Sequence, residues 1–408
     1  MKKKESYISN FSLKLYNICQ RYPFFRNFKI ILYFVDFFIL LFIKKPGKNI
    51  DCSKKQVFII YNYAFGDGIV FLCSFRHIRK LYPKSKYYIS LICQKGLESI
   101  YLDTGVFDEV IPFNLTKSTF DLCSRFNLYK LLRKKRYDIV LDPIGVNECT
   151  TNVFMSRALC SDEKITIIDK TLKNHLCPKW LYNRVYSSII ELNIPNLSLI
   201  SFYAYFLKEL GLKNFKVKLE HFKSRNLNLS LPNNYYIVFP SASTLLKRWP
   251  VDRYAEIIKK IYNKTKLPLL FCGTKSDIES IDELKKYLDD IPFYDVVDKT
   301  NLLDFVEVIK RAKFVITNDT STYHIAVTNE IPVAIITGGY TYDRYVTYDF
   351  EDCEKYKRPY VIVHKTSCFN CDNRCNNLKN GNGLWPCLND ITVDYAWKII
   401  EKMIDKEL

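Results

Sequence analysis

The chain has 408 residues, of which 48% are hydrophobic, so two domains of ordinary size can each bury a core, and a disordered or fibrous protein is excluded. Lys and Arg number 61 against 43 Asp and Glu, which leaves a formal net charge of +18. We therefore expect an acidic partner, and nucleic acid, anionic lipid and phosphorylated small molecules all fit this charge.

The first fifty residues combine much of this positive charge with the longest apolar run of the chain. They contain ten Lys or Arg and two acidic residues, and residues 30–43 carry one charged side chain, Asp36. Spanning a bilayer takes roughly 20 apolar residues, so the shorter run favours a helix lying in the headgroup layer, with its basic flanks on anionic lipid. A true span and a helix packed on the protein's own core are the alternatives. We expect residues 1–50 to form this membrane-apposed helical segment.

The basic residues cluster beside an apolar run and not in an aromatic-interleaved stripe, so no nucleic-acid partner is expected. The chain has fourteen cysteines, and ten of them are scattered through apolar contexts such as those of Cys73, Cys93 and Cys272. Reduced cytoplasmic thiols are used in this way, as small core residues. The sequence therefore predicts a cytoplasmic protein that is peripheral on the cytoplasmic face of a membrane.

An alternation of strands and helices follows this segment. We predict strands at 56–61, 87–93 and 138–141 and a helix at 69–81, which is the order of a parallel βαβ sheet. Residues 219–234 are polar and rich in Asn and Lys, as expected of a linker.

A second α/β series begins after the linker. The strands are predicted at 235–239, 268–272, 314–317 and 332–336, and the helices at 251–262, 276–288 and 393–406. The chain is therefore expected to be α/β, with two Rossmann-like domains at 51–225 and 226–408 facing a cleft, where the ligands of such sheets bind.

The first candidate site is Gly66-Asp67-Gly68, at the carboxyl end of the first strand. The glycines allow a sharp turn and the close approach of a substrate, and they leave the Asp67 carboxylate free to take a proton from an attacking hydroxyl. The alternative is that Asp67 only caps the following helix.

A second candidate site follows the strand at 235–239. It contains Ser241, Ser243, Thr244 and Lys247, just before Pro250 begins a helix. Hydroxyls, a cation and a helix N-terminus together suit a diphosphate. The alternative is a polar loop whose basic residues are only solvated.

A third candidate site follows the strand at 314–317. Asp319, Thr320 and Ser321 place short polar groups at a helix N-terminus, where ribose and phosphate bind well, and His324 lies in the first helical turn. The imidazole can reach a phosphate oxygen or merely brace the loop.

The three loops occur in the order and spacing of a known family. Across residues 56–400 the chain resembles the bacterial glycosyltransferase family 9, the heptosyltransferases that build the inner core of lipopolysaccharide. The resemblance is carried by the strand with Gly66-Asp67, by residues 240–250 and by residues 319–326. It implies an inverting transferase of the GT-B type, with the acceptor in the N-terminal half and the nucleotide-sugar donor in the C-terminal half.

The resemblance also implies roles for individual residues. Asp67 matches the general base, between Gly66 and Gly68 on the acceptor side, and Lys247 matches the lysine at the donor diphosphate. Thr320, Ser321 and His324 match the loop around those phosphates. An ADP-sugar is the favoured donor, a lipid-linked glycan at the inner membrane is the acceptor, and no divalent metal is required. The alternatives are a non-catalytic, membrane-attached basic scaffold and a nucleotide-sugar epimerase on the same fold.

Four cysteines lie close together near the C-terminus, at Cys368, Cys371, Cys375 and Cys387. Such a group is a candidate structural zinc site, which would stabilise the 368–387 loop without taking part in chemistry. Free thiols or a labile disulfide are the alternatives.

Overall fold

A computed structural model describes residues 30–47, 53–119, 121–147, 150–172, 177–219, 221–288, 291–373, 375 and 384–408. The chain divides into two compact units. The first comprises Met1–Ala64, Ser74–Leu197 and Phe202–Phe215, and the second comprises Phe65–Cys73, Ser198–Ser201 and Lys216–Leu408. The basic residues before position 30, which we expect to bind anionic lipid, lie outside the described residues, as does Lys48.

The first unit contains a parallel sheet of six described strands. They are β1 (Lys55–Ile60), β2 (Tyr87–Gln94), β3 (Glu109–Phe113), β4 (Ile139–Asp142), β5 (Glu163–Asp169) and β6 (Ser188–Leu192). Their order, β3-β2-β1-β4-β5-β6, is the Rossmann order. The three strands predicted in this part of the chain are confirmed, and β3, β5 and β6 are strands that the sequence pattern did not reveal.

Eight described helices lie between the start of the described chain and the linker. They are α1 (Ile31–Leu41), α2 (Phe65–Phe75), α3 (Glu98–Asp103), α4 (Leu115–Ser118), α5 (Leu122–Leu132), α6 (Thr151–Ala158), α7 (Lys179–Val185) and α8 (Leu199–Glu209). Helix α2 begins at Phe65, so Gly66-Asp67-Gly68 forms its first turn and does not precede the helix as predicted. A 3₁₀ turn, Arg76–Lys80, continues α2 towards Pro83.

Helix α1 packs against the core of the first unit. The Asp36 side chain is fully buried, and Leu32, Tyr33, Ile39 and Leu40 pack on the same apolar cluster. This face of the helix therefore packs on the protein's own core, which is one of the alternatives for residues 30–43. No helix within the described ranges is long and apolar enough to cross a membrane.

The second unit repeats the Rossmann topology. Its described strands are β7 (Tyr236–Phe239), β8 (Leu269–Phe271), β9 (Phe293–Asp295), β10 (Val315–Asn318), β11 (Val333–Thr337) and β12 (Tyr360–Val363), in the order β12-β11-β10-β7-β8-β9. Its helices after the linker are α9 (Val251–Thr265), α10 (Ile278–Lys285), α11 (Leu302–Lys310), α12 (Ser321–Thr328), α13 (Pro386–Asn389) and α14 (Val393–Glu407). Residues 221–234 form no helix or strand, as expected of the linker.

The two parallel sheets confirm the predicted α/β class with two Rossmann-like domains. Three segments differ from the predicted N-terminal domain at 51–225, because Phe65–Cys73, Ser198–Ser201 and residues 216–225 belong to the second unit. The start of α2, with Gly66, Asp67 and Gly68, therefore lies in the same unit as the loops that follow β7 and β10.

Candidate active site

The loops after β7 and β10, which are the predicted donor loops, meet at the centre of the second sheet. Strands β7 and β10 are parallel neighbours, with Phe239 opposite Thr317, so their carboxyl ends lie side by side. The order of strands reverses between these two strands, and such a switch point is where open α/β sheets bind ligands. The loop at 240–250 and the segment 319–324 are therefore brought together, as the sequence predicted.

Asn318 joins these two loops. Its side-chain amide donates to the carbonyl oxygens of Pro240 and Ser241, at 2.6 and 3.3 Å. Its Oδ1 accepts from the Trp249 backbone amide at 3.1 Å and from the Tyr254 hydroxyl at 2.9 Å. Since every one of these groups is buried, the bonds fix the loop after β7 relative to the end of β10.

Lys247 and Asp319 form an ion pair at this junction. The Lys247 Nζ lies 2.8 Å from Asp319 Oδ2 and 4.9 Å from the centre of the Tyr340 ring. The Tyr340 hydroxyl donates to the same carboxylate oxygen at 3.1 Å. Lys247 keeps 22% of its side chain exposed, whereas Asp319 keeps 7%, so the ammonium is the more accessible partner.

Burial alone would raise the pKa of Asp319, but the Lys247 charge and hydrogen bond lower it below its ordinary value. Asp319 is therefore a carboxylate at neutral pH, and it holds the lysine ammonium in place. An anionic ligand that approaches the exposed side of Lys247 would meet a cation whose position is already fixed.

His324 is a buried and neutral imidazole. Burial lowers its pKa to about 4, with Asp319 acting in the opposite direction. Its Nδ1 lies 2.7 Å from the Tyr348 hydroxyl, which is also buried. The Tyr348 bond braces the ring, and contact of the imidazole with a phosphate oxygen stays a prediction.

The start of α2 contacts the helix that carries His324. A β-carbon at Gly66 would lie 2.6 Å from His324 Cδ2 and 3.4 Å from both His324 Nε2 and the Cα of Ser321. Only glycine permits this approach without displacing the ring. The first turn of α2 therefore packs against the first turn of α12, inside the second unit.

Asp67 is half-buried in this first turn of α2. Burial chiefly raises the pKa of Tyr345, and the Asp67 charge adds to the rise, while Lys247 opposes it. Asp67 also contributes to the raised pKa of Tyr348. Both charges therefore act on the neighbourhood of Tyr345, which places the predicted base and the predicted diphosphate lysine around one group of side chains.

The predicted hydroxyl ligands differ in accessibility. Ser243 is exposed and Thr244 half-buried, whereas Ser241 is fully buried and its Oγ lacks a hydrogen-bond partner. Thr320 caps α12 by its backbone position, and its hydroxyl lies 3.1 Å from the Thr317 hydroxyl, not on a helix amide. Ser321 is half-buried at the first position of that helix. Within the described residues, Thr320 thus makes no side-chain cap bond to the amides at the start of α12.

The four C-terminal cysteines line one small cavity. The cavity holds about 20 Å³ and is also lined by Tyr340 and Trp385, whose ring centres are 3.9 Å apart. Over the part of the chain that the structure covers, no three Cys, His, Asp or Glu side chains are grouped to hold a metal ion. Zinc at Cys368, Cys371, Cys375 and Cys387 therefore stays a prediction.

The sequence did not identify Tyr340, Tyr345 or Tyr348 as part of this site. Tyr340 comes just after the carboxyl end of β11, next to β10, and that position is the signal that would have identified it. The tyrosines at 345 and 348 lie in and after a π-helical turn, Tyr342–Val346, for which the sequence has no periodic signature.

The comparisons with known proteins agree with these loops. The model of glycosyltransferase family 9 (heptosyltransferase) matches residues 191–342, which include the loops after β7 and β10. Lipopolysaccharide heptosyltransferase 3 of Escherichia coli K12 is 24% identical over 111 residues, 27% of this chain and about a third (32%) of that relative's length. Lipopolysaccharide core heptosyltransferase OpsX of Haemophilus influenzae is 23% identical over 293 residues, 69% of this chain and 78% of that protein.

A solved structure of the E. coli heptosyltransferase WaaC with ADP superimposes with a TM-score of 0.60 at 17% identity, over 85% of this chain and 99% of that one. This likeness confirms the predicted GT-B type fold. The family match over residues 191–342 and the two relatives confirm the predicted resemblance: the chain is similar to the glycosyltransferases of family 9, the heptosyltransferases.

Proposed function

We propose that this chain is a family 9 glycosyltransferase that transfers a heptose from ADP-heptose to a hydroxyl of a lipopolysaccharide-core acceptor, with inversion at the anomeric carbon. The observation that carries the proposal is the Lys247–Asp319 pair, which lies at the switch point of the second sheet, in the unit that also holds Asp67. A fixed, partly exposed ammonium beside a helix N-terminus suits a nucleoside diphosphate leaving group.

In the proposed reaction Asp67 takes the proton of the acceptor hydroxyl. The acceptor oxygen then bonds to the anomeric carbon on the face opposite the diphosphate, and the bond from that carbon to the diphosphate oxygen breaks. The electron pair of the broken bond stays on the diphosphate, which leaves as ADP. Lys247 and the amides at the start of α12 stabilise the charge that develops there, so we propose that the transfer needs no divalent metal.

The choice of ADP is supported by the relatives. The similar E. coli enzyme is described with ADP, and the two sequence relatives are named as lipopolysaccharide heptosyltransferases. Because lipopolysaccharide cores are built on a lipid, we further propose a lipid-linked glycan acceptor and a peripheral location on the cytoplasmic face of the inner membrane. The net charge of +18 supports an anionic membrane surface as a partner.

The test is a transfer assay with the purified full chain, a panel of ADP-, GDP-, UDP- and dTDP-sugars and truncated core acceptors. We expect ADP release and a new glycoside with ADP-heptose, in the presence of EDTA, and with inverted configuration by NMR. Turnover with a sugar of another nucleotide, and none with ADP-heptose, would reject ADP-heptose as the donor. Activity that EDTA abolishes and Mg²⁺ restores would reject metal independence, and a retained configuration would reject the single displacement.

A further inference from the structure

Helix α1 has an outer face that no other part of the described chain covers. Its exposed side chains are Ile31 (51%), Phe34 (58%), Phe37 (51%), Phe38 (62%) and Leu41 (64%), and Phe42 (81%) follows directly after the helix. They recur every three or four residues, so they form one continuous stripe along the helix. Monomeric soluble proteins rarely expose large apolar side chains side by side in this way.

Helix α7 extends this stripe. Trp180 is 43% exposed, and its ring packs edge-on against that of Tyr33 on α1, with ring centres 5.3 Å apart. The Arg184 guanidinium lies 5.8 Å from the centre of the Trp180 ring. Tryptophan beside a cation is typical of side chains placed at the level of lipid headgroups.

The charges around this surface are positive. Lys44 and Lys45 are exposed directly after α1, and Lys179 and Arg184 are exposed on α7. Neither helix carries an exposed acidic residue, because Asp36, their one acid, is fully buried. A basic rim around an apolar stripe is complementary to an anionic membrane.

The inner face of α1 is held by three arginines of the first unit. Arg125 makes two bonds to the Asp36 carboxylate, at 2.5 and 2.6 Å. Arg133 donates to the carbonyl oxygens of Leu40 and Ile43 at 2.7 and 2.6 Å, and Arg157 donates to the carbonyl oxygen of Tyr33. These bonds fix α1 as a part of the unit, so its outer face is a permanent surface and not a detachable anchor.

We infer that the outer face of α1, together with Trp180, binds the headgroup layer of an anionic membrane with the helix parallel to the surface. An eleven-residue helix is roughly 16 Å long, about half the hydrocarbon thickness, so it does not span. A second copy of the chain on the same face would bring two sets of these lysines and arginines together, which disfavours self-association. The inference rests on the proposed location at a membrane and names the residues that make the contact.

The test is co-sedimentation of the full chain with vesicles of phosphatidylglycerol and phosphatidylcholine, and with vesicles of phosphatidylcholine alone. We expect binding to the anionic vesicles to weaken at high salt, and to fall at least about tenfold in the variant Phe34→Ser/Phe38→Ser/Leu41→Ser. The matched control replaces exposed apolar residues elsewhere on the same unit, Leu102→Ser/Leu122→Ser/Ile194→Ser, and should bind as the wild type does.

Other occupants of the surface give different results. If the triple variant binds vesicles normally but turns a dimer into a monomer in sedimentation velocity, the face is a self-association surface and the inference is wrong. If binding stays normal and is lost only when the basic residues before position 30 are neutralised, the contact lies in that segment and the inference is again wrong. Transfer by the wild type to a detergent-solubilised acceptor tests the proposed function separately, since its absence would overturn that function and leave the vesicle result standing. The triple variant should transfer to this acceptor as the wild type does, because its substitutions lie outside the proposed site.

Discussion

Gly66 lies so close to His324 that a β-carbon at position 66 would be 2.6 Å from Cδ2 of the imidazole. The ring has little freedom to move away, because its Nδ1 is bonded to the buried Tyr348 hydroxyl. This contact joins the turn that carries Asp67 to the helix whose N-terminus faces the donor loops. The position of the proposed base is therefore coupled to the loop that braces the donor site.

Replacing Gly66 by alanine should push the first turn of α2 away from α12. We expect Gly66→Ala to lower kcat at least about tenfold, since small displacements of catalytic groups are costly. In the His324→Ala background, where the ring is absent, the same replacement should cost little. Steady-state kinetics of the four proteins measure this coupling as a double-mutant cycle. Equal effects in both backgrounds would show that the contact does not position Asp67.

Asp67→Asn keeps the size of the side chain but removes its ability to take a proton. We expect turnover to fall at least about a hundredfold with the melting temperature nearly unchanged, as for loss of a general base. The matched control is Asp394→Asn, because Asp394 also lies in the first turn of a helix, α14, and is exposed. Normal turnover of Asp67→Asn would remove this residue from the mechanism.

Lys247→Ala should weaken donor binding. The variant removes the fixed cation and leaves the buried Asp319 carboxylate to repel a diphosphate, so we expect the Kd of ADP to rise at least about tenfold, as for a lost charge-assisted bond. Calorimetric titration with ADP measures the change, and Lys286→Ala, at an exposed lysine of the same unit, is the control. An unchanged Kd would reject the role of Lys247.

The sequence predicted the central strands well because each is a short apolar run buried on both faces. The runs at 56–61, 235–239 and 314–317 became β1, β7 and β10, and the motif loops after them followed at the carboxyl edge. Edge strands such as β3 and β9 lack this signal, since several of their side chains are only partly buried.

The sequence could not predict which unit holds the start of α2. Gly66 and Asp67 follow a strand of the first sheet, so chain order placed them in the N-terminal domain, but their close contacts are with the second unit. The sequence also did not decide where the apolar run at 30–43 packs. The burial of Asp36 in this run depends on its pairing with Arg125, which lies 89 residues further along the chain.

The lowered pKa of His324 predicts a pH dependence of stability. The folded pKa is about 4 against an ordinary 6.5, so the unfolded chain binds a proton at a pH where the folded chain does not. The stability from the neutral imidazole is therefore fully present above about pH 6.5 and is lost as the pH falls towards 4, by on the order of 3 kcal/mol. Unfolding free energies of wild type and His324→Gln, measured between these pH values, should fall more steeply for the wild type. If the unfolding free energies of the two proteins fall equally with pH, His324 is not a buried neutral imidazole.

The Asp36–Arg125 pair predicts that α1 contributes to the stability of the first unit. Both side chains are almost fully buried, at 0% and 1% exposure, so Asp36→Ala leaves an unpaired guanidinium in the core and should lower the free energy of unfolding by about 3–5 kcal/mol.

Replacing both partners, as in Asp36→Leu/Arg125→Met, removes the uncompensated charge and should cost less than the single change, although the carbonyl oxygen of Ser118 then loses the Arg125 donor. Chemical denaturation of the full chain measures both, and Glu191→Ala, which breaks the exposed pair with Lys170 in the same unit, should cause little measurable change. If Asp36→Ala is as mild as Glu191→Ala, the helix is not anchored by this pair. The orientation of α1 would then depend on the carbonyl bonds from Arg133 and Arg157 and on the apolar packing of its inner face.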